Sequence, residues 1–144
     1  MAFAAGNKIT TDRLNRLQTT IYHAIGSGTV VGAATNSDVT DATVTFTTTA
    51  DDATYAAVGV WDVDWTSSTT STGTARVDVD GSPQTPLATF GAQVSTDRTT
   101  VSQTYSGTLA TAGSHTIKLI ASPASGQTIQ GVNSSILVFV QEVA

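Results

Sequence analysis

The sequence predicts an all-β domain, an antiparallel β-sandwich or jelly roll of eight or nine strands, preceded by one short N-terminal helix. Three observations predict it. Threonine occurs 28 times in 144 residues, while charged residues make up only 12%. β-Branched side chains suit a pleated surface and suit helices poorly. From Thr29 onward, apolar residues recur at alternate positions, the period of a strand with one buried face. Turn signals such as Asp80-Gly81 and Ala112-Gly113 separate these runs at the spacing of a sandwich or barrel. A chain of this length is one ordinary domain, and its lack of cysteine rules out disulfides, thiolate metal sites and thiol nucleophiles.

Residues 1–28 read as an N-terminal anchoring segment and residues 29–144 as the β-sandwich domain. The first nine residues read as extended. Thr10 or Thr11 offers a helix cap, and Asp12 sits favourably in the first turn. Leu14, Leu17, Ile21 and Ala24 follow at spacings of 3, 4 and 3, predicting a helix over about residues 11–25 that Gly26 and Gly28 end. A helix of that length is marginal alone in water. Leaving its Leu and Ile side chains exposed would forfeit about 1.5–3 kcal/mol each. It must therefore rest on its own domain, on copies of itself, or on a docking partner.

Charge divides the chain in the same place. Lys8, Arg13 and Arg16 stand against Asp12 in residues 1–16, giving +2, whereas the remaining three cations and ten acids give −7. A basic head on an acidic body is expected to meet a different surface from the one the body meets; the plainer alternative is a few solvated charges on a helix. The net charge of −5 disfavours nucleic acid and anionic membranes as partners, since both require clustered Lys and Arg. No run of 18 apolar residues occurs. The start, Met1 to Gly6, lacks the basic and apolar regions of a secretory signal, so synthesis in a cytoplasm without the usual export tag is expected.

In the body, Ala42, Val44 and Phe46 alternate with threonines, and Trp61, Val63 and Trp65 alternate with Asp62 and Asp64. Ala75, Val77 and Val79 alternate with Arg76, Asp78 and Asp80. Val101, Tyr105 and Leu109 alternate with polar residues, as do Ile117 and Leu119. Thr29–Ala34, Leu87–Phe90 and Ile136–Val140 complete the set. Matching odd parity predicts antiparallel pairing of Trp61–Trp65 with Ala75–Val79, and of Val101–Leu109 with His115–Ala121. Two runs break the alternation: Tyr55–Val60 and Ser135–Val140 are apolar on both faces. A sandwich strand has one wet face, so a neighbouring element or subunit must cover the other. This predicts a homo-oligomer, with Tyr55, Val58, Val60, Leu137 and Phe139 as interface residues.

Little points to catalysis, and the chain is not expected to be an enzyme. His23 and His115 lie on separate elements, Glu142 is the only glutamate, and no nucleophile elbow, zinc-protease or phosphate-loop motif occurs. Gly26-Ser27-Gly28 with Gly32 misses the dinucleotide spacing. A glycosidase would have to use Asp62 with Asp78. Asp62, Asp64, Asp78 and Asp80 are expected on one outward face, which reads as a solvated surface or, less simply, a calcium patch; no metal or cofactor is assigned. Trp61, Trp65, Tyr55 and Tyr105 could stack a sugar, but their parity assigns them to the core. The loops Thr66–Gly73 and Ala121–Gln130 are candidate surfaces for a host glycan. Asn133-Ser134-Ser135 matches a glycosylation acceptor that means little without a secretory signal.

The opening Met1-Ala2-Phe3, followed by Gly6-Asn7-Lys8-Ile9-Thr10-Thr11-Asp12-Arg13-Leu14-Asn15, resembles the start of small virion proteins of tailed phages, especially those of actinobacteria. The body is similar to theirs in Ala42-Thr43-Val44-Thr45-Phe46, Val79-Asp80-Gly81, Thr100-Val101-Ser102-Gln103-Thr104, Ala112 to Leu119, and the apolar last strand. The resemblance spans nearly the whole chain through short, tolerant motifs. It implies a jelly-roll or tumour-necrosis-factor-like subunit, commonly trimeric, mounted by its N-terminal segment on the tail or tail tip, or as a decoration protein on the capsid. In that reading Lys8, Arg13, Leu14, Arg16, Leu17 and Ile21 dock the subunit, its partners are itself and other virion proteins, and its location is the virion. The sequence has no collagen-like, coiled-coil or β-helical shaft of the kind a full-length tail fibre carries.

Overall fold

The computed structural model describes residues 10–91 and 93–142. Lys8 lies outside the described residues. A one-and-a-half-turn helix α1 (Thr11–Arg16) precedes strands β1 (Thr20–Ile25), β2 (Thr29–Val31), β3 (Ser37–Thr48), β4 (Ala53–Trp65), β5 (Gly73–Val79), β6 (Ser82–Pro83), β7 (Ala88–Phe90), β8 (Arg98–Leu109), β9 (Gly113–Ser122), β10 (Gln127–Gln130) and β11 (Ser135–Gln141). A 3-10 turn, Gly131–Asn133, joins the last two. The predicted all-β sandwich is present, with two antiparallel sheets.

In the first sheet the 13-residue β4 is the centre. One of its edges pairs with β8 over Ala53–Asp64. The other edge takes β11 and then β1 at one end, and β10 and then β2 at the other. The last two strands thus act as one interrupted strand, and so do the first two. The interruption needs a glycine: a Cβ on Gly131 would sit 2.1 Å from the Ser27 carbonyl oxygen where the two breaks cross. The second sheet runs β3-β9-β5-β6, with β7 on the same side of β5 as β6 but further along.

Between the sheets lie Trp61, Val63, Trp65, Ile129, Ile136 and Val138 from one side, and Val77, Ile117 and Leu119 from the other, all almost fully buried. Tyr22 stacks on Phe46 at 4.9 Å between centroids, tying β1 to the opposite sheet. Trp65 meets Phe90 edge-on at 6.5 Å. The Trp61 ring folds over Gly59, where an added Cβ would lie 2.3 Å from Cη2. Burial pushes the Tyr105 phenol up to about 12.

Two expectations are corrected. The helix covers residues 11–16 and not 11–25, and residues 20–25 are a strand within the sandwich, so the domain begins before residue 29. Thr10 caps the helix, its Oγ1 accepting the Arg13 N–H at 3.3 Å. After it, Thr19, Thr20, Ile21 and Tyr22 are poor helix formers. Tyr22 and Ala24 pack inward at a period of two, and six residues pair with β11. Sheet pairing and core burial override a helical stripe that was real as spacing but carried little propensity.

The predicted hairpins do not form either. β4 and β5 lie in opposite sheets, as do β8 and β9. Parity fixes which residues point inward, and strands facing each other across a sandwich satisfy it as well as strands side by side.

Candidate functional site

The outward face of the first sheet carries the clearest feature. Register places three rungs across β1, β11, β4 and β8: Ile21, Phe139, Ala56 and Ser106; His23, Leu137, Val58 and Thr104; Ile25, Ser135, Val60 and Ser102. Side chains on one rung share a face, since paired residues point the same way. Ile21 and Ile25 are 60% and 57% exposed, and Leu137, Phe139, Val58 and Val60 are half-buried. The result is an apolar strip on β1, β11 and β4 beside a hydroxyl strip on β8. No Asp, Glu, Lys or Arg stands on these rungs.

Four of the five predicted interface residues, Val58, Val60, Leu137 and Phe139, are therefore brought together on one outward face. Tyr55 is not with them. It is 6% exposed and points into the core, because it has the same parity as Ala57 and Trp61. Ile21, assigned from the helical stripe to the docking set, stands beside Phe139 on this face. Ile25 and His23 complete it, and the sequence reading assigned neither to this face. The signal for them was the alternation 21, 23, 25, masked by the helical spacing of Leu14, Leu17 and Ile21.

Of the remaining predicted docking residues, Leu14 and Leu17 are 50% and 39% exposed, and Arg13 and Arg16 are half-buried. Gln141 Nε2 donates to the Leu17 carbonyl at 3.4 Å, holding the end of the helix at the close of β11.

An ion pair bounds the apolar strip. Arg98 Nε donates to Asp62 Oδ1 and Oδ2 at 3.0 and 3.1 Å, and its Nη2 also reaches Oδ2. Asp62 is only 4% exposed, and its backbone N–H donates to Ser134 Oγ at 3.1 Å. The Arg98 hydrogen bonds hold the Asp62 carboxyl below the ordinary carboxylate range, against the upward push of burial. Gln130 Nε2 donates to neighbouring Asp64 at 3.1 Å.

The expected four-carboxylate face does not exist. Asp78 belongs to the other sheet and Asp80 to the turn that follows β5; Asp78 Oδ1 accepts the Gly81 N–H at 2.8 Å and Asp80 Oδ1 accepts the Thr116 N–H at 2.7 Å. The four were grouped through the β4–β5 pairing that the sandwich lacks, so neither the calcium patch nor the Asp62 and Asp78 pair is assembled. The two histidines are also apart. His23 is exposed on the outward face, whereas His115 is buried between the Asp80 carboxylate at 2.7 Å and the Thr111 carbonyl at 2.9 Å. Trp61, Trp65, Tyr55 and Tyr105 are all in the core, as parity predicted.

At one end of the sandwich, loop 66–72 meets the segment Gln93–Asp97. Thr69 N–H donates to the Gln93 carbonyl at 3.2 Å, and Ser95 N–H to Ser68 Oγ at 3.2 Å. Ser68, Thr69, Thr70, Gln93, Val94 and Asp97 line an open depression of about 760 Å³.

No protein-family model matches the sequence, and no curated protein sequence does. Among solved structures, murine APRIL at pH 8.5 aligns with a TM-score of 0.51 and 11% identity, covering 86% of this chain and 99% of that one. The CBM36-1 domain of a multidomain xylanase from the hindgut metagenome of Trinervitermes trinervoides aligns at 0.43 and 12%, covering 85% of this chain and 96% of that one. The globular domain of zebrafish complement 1qA protein aligns at 0.45 and 8%, covering 83% of this chain and 94% of that one. At such identities the likeness is one of fold, a jelly roll of the tumour-necrosis-factor type.

Proposed function

We propose that this chain is a non-enzymatic structural subunit of a bacteriophage virion. In this reading the β domain forms a homotrimer through the outward face of β1, β11, β4 and β8, and the N-terminal segment mounts it on the tail or tail tip. The observation that carries the reading is the apolar strip of Ile21, Ile25, Val58, Val60, Leu137 and Phe139, which no charged side chain interrupts and no other described element covers. Water-exposed Ile, Leu and Phe in one contiguous patch mark an association surface. A stable interface needs about 800 Å² per partner, with an apolar centre and a polar rim. The β8 hydroxyls and the Asp62–Arg98 pair provide such a rim. The phage assignment rests on the resemblance of the N-terminal and body motifs, and the exposed Leu14 and Leu17 support a docking role for the leader.

Light scattering of the purified chain at micromolar concentration tests the assembly. A trimer of the 14.7 kDa chain is expected; a species of one chain mass removes the proposal. Deleting residues 1–16, which leaves β1 intact, should give a folded trimer that no longer joins particles. Labelled subunits imaged on the particle should mark the tail, and label on the head would transfer the same subunit to capsid decoration.

A further inference from the structure

We propose that the depression between loop 66–72 and the segment Gln93–Asp97 is a binding site for a neutral oligosaccharide. Its volume, about 760 Å³, falls in the range of small-molecule sites. The chemistry of the lining selects the ligand. Ser68, Thr69 and Thr70 bring hydroxyls, Gln93 an amide, and Asp97 a carboxylate, so donors and acceptors are both present. Val94, 60% exposed, offers an apolar surface to the C–H face of a sugar ring. No Lys, Arg or His lines the depression among the described residues, and the one charge is negative, which selects against phosphates, sulfates and acidic sugars.

The site is built before a ligand arrives. Gln127, 1% exposed, clamps three segments at once: its Nε2 donates to the Ser71 and Gly91 carbonyls at 3.1 and 3.3 Å, and its Oε1 accepts the Ala124 N–H at 2.9 Å. Asp97 Oδ2 accepts the Val94 N–H at 3.2 Å, and Thr66 N–H donates to the Gly126 carbonyl at 3.0 Å. Loops already fixed lose little entropy on binding. The Thr70 hydroxyl and the Gln93 amide take no part in this bracing among the described residues, so they are left for the ligand. The inference does not depend on the assembly above, since a monomer would carry the same depression.

The test is amide-resolved NMR titration of the full chain with neutral hexasaccharides of glucose, mannose, galactose and xylose, alongside a sulfated glycan. The expected result is shifts confined to residues 68–70 and 93–97 for at least one neutral probe, with a millimolar or tighter Kd. The Thr70→Ala/Gln93→Ala double variant should weaken binding by about tenfold or more, with amide shifts elsewhere unchanged. Val94→Glu, which removes the apolar contact and adds charge, should also weaken it. The proposal is overturned if no neutral probe shifts these amides up to about 10 mM, if shifts map elsewhere, if only the sulfated glycan binds, or if both variants bind as the parent does.

Discussion

Adjacent residues of β11 point to opposite faces, so truncating each in turn separates folding from association. Ile136 is fully buried between the sheets, whereas Leu137 is half-buried on the outward face between His23 and Val58. Ile136→Ala leaves a cavity in the core and should cost about 2–5 kcal/mol of folding stability, a large share of the roughly 5–15 kcal/mol of an ordinary domain. Leu137→Ala removes three carbons, about 2.4 kcal/mol if fully buried, of which about half is already realised in the single chain. The other half, about 1.2 kcal/mol per chain, is gained on association. Three chains give about 3.6 kcal/mol per trimer. The midpoint concentration of a trimer varies as the square root of its dissociation constant, so it should rise about 20-fold. Urea denaturation and concentration-dependent light scattering read the two effects separately. If Leu137→Ala costs as much folding stability as Ile136→Ala, the face is core and the association argument fails. If the midpoint does not move, association uses another surface.

The close approach of Trp61 to Gly59 makes a second position sensitive. Gly59→Val would press branched carbons into a buried ring 2.3 Å from the first added atom, and overpacking of this kind should cost about 1–3 kcal/mol or more in urea denaturation; an unchanged midpoint would mean the ring has another rotamer to occupy. Asp62 sets an acid dependence. Its folded pKa is depressed from 3.8, chiefly by the Arg98 hydrogen bonds, so the stability it contributes is fully present above the ordinary carboxylate value and is lost as pH falls through the lower folded value. Thermal melts should therefore show a smaller loss below about pH 4 in Asp62→Asn than in the parent. Parallel acid profiles would mean that the pair contributes nothing to folding.

The all-β class was legible because alternation needs only the inward half of each strand. Ala42, Val44 and Phe46, or Trp61, Val63 and Trp65, reveal their face without any knowledge of a partner. Pairing was less legible, since the same parity serves neighbours in one sheet and opposites across two. The Asp62, Asp64, Asp78 and Asp80 face failed for that reason alone. At the N-terminus, positions 14, 17, 21 and 24 and positions 22 and 24 offered two periods at once. Only the pairing of β1 with β11, a partner more than 100 residues away, decides between them. The outward apolar face was partly legible: two-sided hydrophobicity at Val58, Val60, Leu137 and Phe139 cannot be satisfied by one sandwich interior. Tyr55 was included because it begins the same run, and its odd parity was the cue to leave it out. The loop depression had no sequence signature beyond polar loop composition, because Gln127 braces it across long separations.

The arrangement of charge around the apolar strip bears on the kind of assembly it supports. Around a rotation axis, identical side chains of successive copies converge, so any net charge there would face itself. The rungs carry aliphatic, aromatic, hydroxyl and imidazole groups, and the ionised residues nearest to them in register, Asp62 and Arg98, are already paired. β8 adds a second constraint. Among the described residues this 12-residue strand pairs only with β4, and a long free edge invites uncontrolled strand addition. A closed ring in which each copy lays its apolar strip against the next copy's β8 side would cover this edge and the strip together. An open stack would leave both exposed at its ends. In the proposed assembly, closure would account with one geometry for the uncharged rungs and for a β8 edge that no other described strand covers, and the proposal is therefore of a ring rather than a filament.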